Sequence, residues 1–541
     1  MIRNFLLKLG NILLRPFKQH FLFFSVICTL TVCAHVMAYF TTKNGMNLNA
    51  AIAFATHCVS LSYVATLLIS FICNKAVRQI LKALFILYAA FDFAINFYCA
   101  FHLRMLFDND IALPIKETNP SETVEFFTSM VPMWIILAVA VVFLLFAFLG
   151  WYIKRRNLTF NLGSKSSLLA MGITSICILG NLNQWGIWRY GPIGPLYTLS
   201  QNDNPVDLRD YYSHPTLTFS ESNELPTNVV LIIGESYCRS HSSIYGYEKQ
   251  TNPQLTALKD SAMLFSFDSI NSPALLTALS IRLMLSTYDL SNEKEDKKWY
   301  EYISIIELMK ESGFESYWFG NQGREGQNNG SIRTFAQTCD HTWFLEKDHV
   351  ECPFDVVLLD SSYQYINQIG HKNHNFIVYH MKGSHFDYSK RYPGEFTKFS
   401  VNDYMTDPES HRVILSSYDN SILYNDYIVS RIIELFKDSE SIVIYLPDHG
   451  QVMYRNPKDP DYYAHGRKHN PIDYALGIDI PFFIYASLLF QQKHPETMKR
   501  IKDRQDNPMT WNSDNLPYFI MDLIGVKEIN GETIRTKSIL N

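Results

Sequence analysis

Asn228-Val229-Val230-Leu231-Ile232-Ile233-Gly234-Glu235-Ser236 decides how the second half of this chain folds. Its apolar run, 229–233, shows no alternation of polar and apolar residues and is mostly β-branched, so it reads as a strand buried on both faces. Gly234 then permits a tight bend. The bend presents a carboxylate and a hydroxyl at the strand's carboxyl end. Two similar runs lie at 376–380 and 442–446, with weaker ones at 262–267, 314–319 and 480–485. Helical patterns alternate with them at 274–287, 300–312, 358–369 and 411–436. Strands alternating with helices imply an α/β domain with a largely parallel central sheet covered on both sides. Ligands bind beyond the carboxyl ends of such strands, so chemistry is expected just after each apolar run.

The residues found there fit that expectation. After 442–446 comes Pro447-Asp448-His449-Gly450, and after 376–380 comes Met381-Lys382-Gly383-Ser384-His385. A polar loop then leads to Tyr463-Ala464-His465-Gly466. Singly, each is what a cap or a turn would use. Jointly, Glu, Asp and His make a zinc ligand set that a hydroxyl can complete. A metal lowers the pKa of a bound hydroxyl and gives a nucleophile near neutral pH. Neighbouring histidines could steady phosphate oxygens or protonate a leaving group.

The 541 residues carry a net charge of −5, with 47% hydrophobic and 18% charged residues. That average joins an apolar half, 1–190, to a polar half, 228–541, through a breaker-rich connector at 191–227. A cytosolic globular protein, a disordered chain and a small disulfide scaffold are excluded, and no basic stripe points to nucleic acid. Five stretches approach the roughly 20 residues a spanning helix needs: 21–40, 50–73, 80–102, 131–153 and 168–187. Basic residues cluster before the first, between the second and third, and between the fourth and fifth. Those loops are expected in the cytoplasm, which places the polar half across the membrane. Asp92 and His57 lie inside spans, where ionisable groups are functional candidates, although helix–helix hydrogen bonding accounts for them equally well. Trp185, Trp188 and Tyr190 suit an interfacial belt.

The same motifs carry a resemblance. The segment 228–236, then Gly246-Tyr247, Thr251-Asn252-Pro253, His380 through His385, Arg391-Tyr392-Pro393, Tyr418-Asp419-Asn420, Asp448-His449-Gly450 and Tyr463 through Gly466 resemble the bacterial membrane phosphoethanolamine transferases of the alkaline phosphatase/sulfatase superfamily. The resemblance implies an inner-membrane enzyme with a cytoplasmic N-terminus and a periplasmic catalytic domain. It would move phosphoethanolamine from phosphatidylethanolamine to lipopolysaccharide core, lipid A or a periplasmic glycan. Glu235, Ser236, Asp448 and His449 would hold zinc, with Ser236 as nucleophile. His385 and His465 would hold the phosphate or a second zinc. Asn321, Gln322, Arg324, Thr277 and Lys382 would contact substrate, and Cys339 and Cys352 fall in a disulfide-bearing segment.

Departures from the lipid A branch favour the core- and glucan-modifying branches. A usual lysine after the amides is missing, with Arg324 the nearest cation. A Cys-Gly-Thr segment is replaced by Asn271-Ser272-Pro273, with Thr277 the nearest hydroxyl. Phosphoglycerol transfer and phosphate or sulfate ester hydrolysis remain alternatives at the same site. His380 reads as a strand-end residue satisfied by hydrogen bonds, His241 and His469 as surface residues, and Lys382 as solvated or facing phosphate. Tyr418-Asp419-Asn420 reads as helix-to-core packing and hydrogen bonding, and Cys238 as a small buried residue.

Overall fold

The computed structural model describes residues 2–41, 48–103, 107, 111, 115, 123–124, 126–156, 160–181, 206–220, 224–289, 297–322, 330–344, 354–369, 374–467 and 470–541. They fall into two compact units, one drawn from residues 1–202 and the other essentially Asp203–Asn541.

The first unit is helical. Helices α1 (Phe21–Thr41), α2 (Leu48–Ser70), α3 (Lys75–Tyr98), α4 (Met133–Arg155) and α5 (Ser164–Asn181) overlap the five expected spans. Among the described residues, Ala51–Ser70, Lys75–Leu103 and Met133–Ile153 are long and apolar enough to cross a membrane, and Phe21–Met37 is apolar but shorter. Asn74 fixes the start of α3, its side chain accepting from the amides of Ala76 and Val77. On α4, Leu137, Val141, Leu144, Leu145 and Phe148 are all exposed. An apolar surface of that kind suits lipid rather than water. Phe23, Ile27, Leu30 and Ala34 of α1 pack with Ile69, Ala89 and Phe93. Asp92 is buried among the helices, and the Asn96 amide donates to its Oδ1 at 3.1 Å. Trp185, Trp188 and Tyr190 lie outside the described residues.

The second unit is built on seven strands: β1 (Asn228–Gly234), β2 (Leu264–Phe267), β3 (Phe314–Gly320), β4 (His341–Phe344), β5 (His374–His380), β6 (Ser441–Pro447) and β7 (Phe482–Ala486). Their spatial order is β2-β7-β6-β1-β5-β3-β4. Strands β6, β1, β5, β3 and β4 run parallel, and β7 is antiparallel to both its neighbours, so the sheet is largely parallel. Strand β1 is buried along its whole length. Val229, Leu231 and Ile233 join one core with Trp318, Phe376 and Ile444, while Val230 and Ile232 join another with Ile377, Tyr379 and Tyr445. Helices α6 (Thr277–Met284), α7 (Val356–Ile369) and α8 (Glu409–Leu435) match three of the expected helices to within a few residues. Leu217–Phe219 pairs with Val526–Ile529, which ties part of the expected connector into this unit.

Register positions the site. Ile233 stands opposite His380 on β5 and Leu446 on β6, and Gly234 opposite Pro447. Gly320 on β3 also stands opposite His380. Four adjacent parallel strands therefore end level with one another, and Glu235, Asn321, Met381 and Asp448 leave the sheet side by side.

Candidate active site

Glu235, Asp448 and His449 are fully buried, and one ligand atom from each lies within 4.8 Å of the others. The His449 Nδ1–H donates to its neighbour's carbonyl, Gly450 O, at 2.9 Å. Its Nε2 lone pair then faces Glu235 Oε1 at 3.5 Å and Asp448 Oδ2 at 3.4 Å. Asp448 Oδ1 is occupied by the amides of Ser236 (3.1 Å) and His449 (2.8 Å). Asp448 Oδ2 and His449 Nε2 have no hydrogen-bond partner. Buried polar atoms without partners are costly, and a cation between them would satisfy both. Burial, followed by the facing charge of Asp448, pushes the Glu235 carboxyl well above the usual carboxylate range. The donor set fits zinc.

Two hydroxyls share Glu235. Ser236 Oγ donates to Oε1 at 2.6 Å, and Ser236 is entirely buried in a left-handed conformation, φ +56°. Thr277 Oγ1 donates to Oε2 at 3.3 Å from the first residue of α6, and Thr277 is only half-buried. Gln322 Nε2 approaches Oε2 at 3.4 Å and donates to Met381 O at 2.6 Å. The Asn321 amide is spent on Asp355 Oδ1 at 2.9 Å, so this residue supports the neighbouring loop. Arg324, Cys352 and His469 lie outside the described residues, and with them the Cys339–Cys352 pairing; Cys339 itself is buried.

The loop after β5 is clamped over Glu235. Ser384 N donates to Glu235 O at 3.1 Å, and Asp355 accepts from the amides of Lys382 and Gly383, both at 2.8 Å. His385 Nδ1–H donates to Phe386 O at 2.8 Å, which leaves Nε2 as the acceptor. Burial and the charges of Arg391 and Lys382 hold the His385 pKa down to about 3. The His465 ring meets His449 edge-on at 4.5 Å, and Gln451 Nε2 donates to its Nδ1 at 3.4 Å. Burial and the two neighbouring histidines hold it well below the ordinary value. Both histidines are thus neutral at physiological pH.

Three sequence readings need revision, and one residue is new. His380 is buried with neither ring nitrogen hydrogen-bonded, so the strand end does not satisfy it. Lys382 is buried at 3% exposure rather than solvated. His241 is buried against Asp419 instead of on the surface. Asp355 belongs to the site although no motif surrounds it. An acid just ahead of an apolar helical run reads as a cap for its own helix, and no local signal points to its bonds with the Lys382 and Gly383 amides.

A family model described as Sulfatase matches residues 227–526, more than half of the chain. The chain belongs to the sulfatase family. Among curated relatives of this sulfatase-family chain, phosphoethanolamine transferase EptC of Escherichia coli (strain K12) is 29% identical over 294 residues, which cover 53% of this chain and 49% of that protein. The chain thus spans about half the length of that relative. The crystal structure of the C-terminal periplasmic domain of E. coli EptC, a complex with Zn, matches with a TM-score of 0.53 and 25% identity over 60% of this chain and 90% of that one. The integral membrane protein lipooligosaccharide phosphoethanolamine transferase A of Neisseria meningitidis matches with a TM-score of 0.62 and 18% identity, over 95% of this chain and 98% of that one. That likeness extends the shared fold to the apolar helices.

Proposed function

We propose that this chain transfers phosphoethanolamine from phosphatidylethanolamine to a hydroxyl or phosphate on lipopolysaccharide or another cell-envelope glycan, by two displacements at a zinc site. The observation that carries this reading is the convergence of Glu235, Asp448 and His449 with two lone pairs left unpartnered. The family match and the zinc-bound relative support it. Bound zinc supplies a lowered pKa for an attacking hydroxyl and positive charge opposite the phosphate.

The geometry favours Thr277 over Ser236 as the attacking residue. Both hydroxyls reach Glu235, but Ser236 is enclosed, while Thr277 is half-buried at the N-terminus of α6, where an anion is stabilised. In the first displacement Thr277 Oγ1 gives up its proton and bonds to phosphorus, while the bond from phosphorus to the diacylglycerol oxygen breaks and that oxygen takes up a proton from solvent. In the second, an acceptor oxygen takes the group and frees Thr277. With its Nδ1 accepting from Gln451, neutral His465 keeps a hydrogen on Nε2 to donate to a phosphate oxygen. Gln322 and Ser384 hold Glu235 in place.

The apolar unit, read as five spans with a cytoplasmic N-terminus, keeps the periplasmic unit beside its lipid donor and raises the donor's effective concentration. The test is diacylglycerol release from defined vesicles. Phosphatidylethanolamine with zinc is expected to be cleaved, and Thr277→Ala to abolish cleavage. Preferential cleavage of phosphatidylglycerol would reassign the chain to phosphoglycerol transfer. Full activity in Thr277→Ala with loss in Ser236→Ala would return the nucleophile to Ser236.

A further inference from the structure

Tyr418-Asp419-Asn420, which the sequence assigns to core packing and hydrogen bonding, lies buried in α8. We propose that Tyr418 and Asp419 are positioning residues for the metal centre, holding the turn that carries Glu235 and Ser236 against Asp448. The inference rests on the zinc-site reading and is independent of the lipid donor.

Tyr418 is fully buried, and its hydroxyl bridges both sides of the turn. It donates to Ser236 O at 2.8 Å and accepts from Cys238 N at 2.9 Å. Those two bonds span Tyr237, whose own amide donates to His449 O at 3.0 Å. Ser236 has the left-handed conformation that residues with a side chain rarely adopt, so the turn needs such external restraint. A phenylalanine would fill the same volume and provide neither bond.

Asp419 fixes the helix turn that aims this hydroxyl. It is fully buried and accepts from His241 Nδ1–H at 2.6 Å, Tyr247 OH at 2.7 Å and Tyr404 OH. The His241 ring in turn meets the Tyr418 ring edge-on at 5.2 Å. One residue on, Asn420 accepts from the amides of Lys398 and Phe399. Ser421 donates to Ser384 Oγ at 2.9 Å, reaching the loop that ends in His385. One turn of α8 therefore touches both the Glu235 turn and the His385 loop. Three donors on a single buried carboxylate exceed what packing alone calls for, since an apolar residue would pack without needing them.

The experiment uses the full chain in detergent, metal-free and then titrated with zinc against a chromophoric chelator, with Co2+ as a spectroscopic stand-in. Y418F is expected to weaken zinc binding about 10–100-fold, the effect usual for partners that orient metal ligands. It is also expected to change the Co2+ ligand-field bands, and the metal-free protein to melt somewhat below wild type because Ser236 O and Cys238 N lose their buried partner. Zinc affinity within twofold of wild type together with an unchanged Co2+ spectrum would overturn the inference. If Y418F yields no folded protein, D419N carries the same test. A loss of affinity of at least tenfold supports the inference, and affinity within twofold overturns it. A chain that binds zinc through this device and cleaves no phosphatidylethanolamine would refute the transferase reading alone.

Discussion

Replacing Gly383 by alanine should loosen the site from a position that contributes no side chain to it. Gly383 has φ +49°, and a Cβ built there would lie 2.8 Å from Glu235 N and 3.0 Å from both Glu235 Cβ and Glu235 O. Two of those atoms are backbone and cannot rotate away. The left-handed conformation costs an alanine about 1–2 kcal/mol, and overpacking of this kind costs about 1–3 kcal/mol. The expected destabilisation is their sum, about 2–5 kcal/mol. Relief requires the loop to move off Glu235, which breaks the Ser384 N to Glu235 O bond and displaces a proposed metal ligand. Denaturant unfolding gives the first quantity, and chelator competition for zinc gives the second. Gly394→Ala is the control, because a Cβ there meets nothing within 4 Å and the backbone is not left-handed; it should fall within about 0.5 kcal/mol of wild type. Equal stability and equal zinc affinity of the two variants would mean that the 382–385 loop does not press on Glu235.

Removing zinc with a chelator should lower the melting temperature, because a ligand at about 100 times its Kd adds about 2.7 kcal/mol to the folded state; His449→Ala should show no zinc-dependent shift. Acid should destabilise the chelated protein through His380, which burial holds at about 4 when folded against an ordinary 6.5. Between those values the unfolded chain binds more protons, so stability is complete above pH 6.5 and is lost as the pH falls towards 4. The loss at pH 5 is about 2 kcal/mol, and His380→Gln should flatten that part of the pH profile. Arg467, buried between Asp459 and Asp473, supports the loop of His465; Arg467→Ala should cost about 3–5 kcal/mol in unfolding measurements by stranding buried carboxylates.

Local signals are legible where one stretch of chain contains the whole device. The 229–233 run reads as a strand buried on both faces, and the Gly-Glu and Asp-His turns leave strands whose register brings them together. Edge strand β4 carries no such signal, because its four residues pair on one side only and are partly exposed. Thr277 looks peripheral in the sequence because it lies 42 residues beyond Glu235 and only the close of the fold brings it there. His241, His380 and Asp355 resist a local reading for a related reason: burial of a polar residue depends on what packs over it from elsewhere in the chain. Helical periodicity does place Tyr418 on a buried face, but nothing local shows that its hydroxyl ends on Ser236 O.

The most direct test of a metal-activated hydroxyl at this site is to quench the 541-residue chain during turnover with phosphatidylethanolamine and locate any covalent adduct by peptide mass spectrometry. Thr277 should carry one phosphoethanolamine group, present with zinc and absent after chelation. An adduct on any other residue, or labelling of Thr277 that persists without metal, would contradict that expectation.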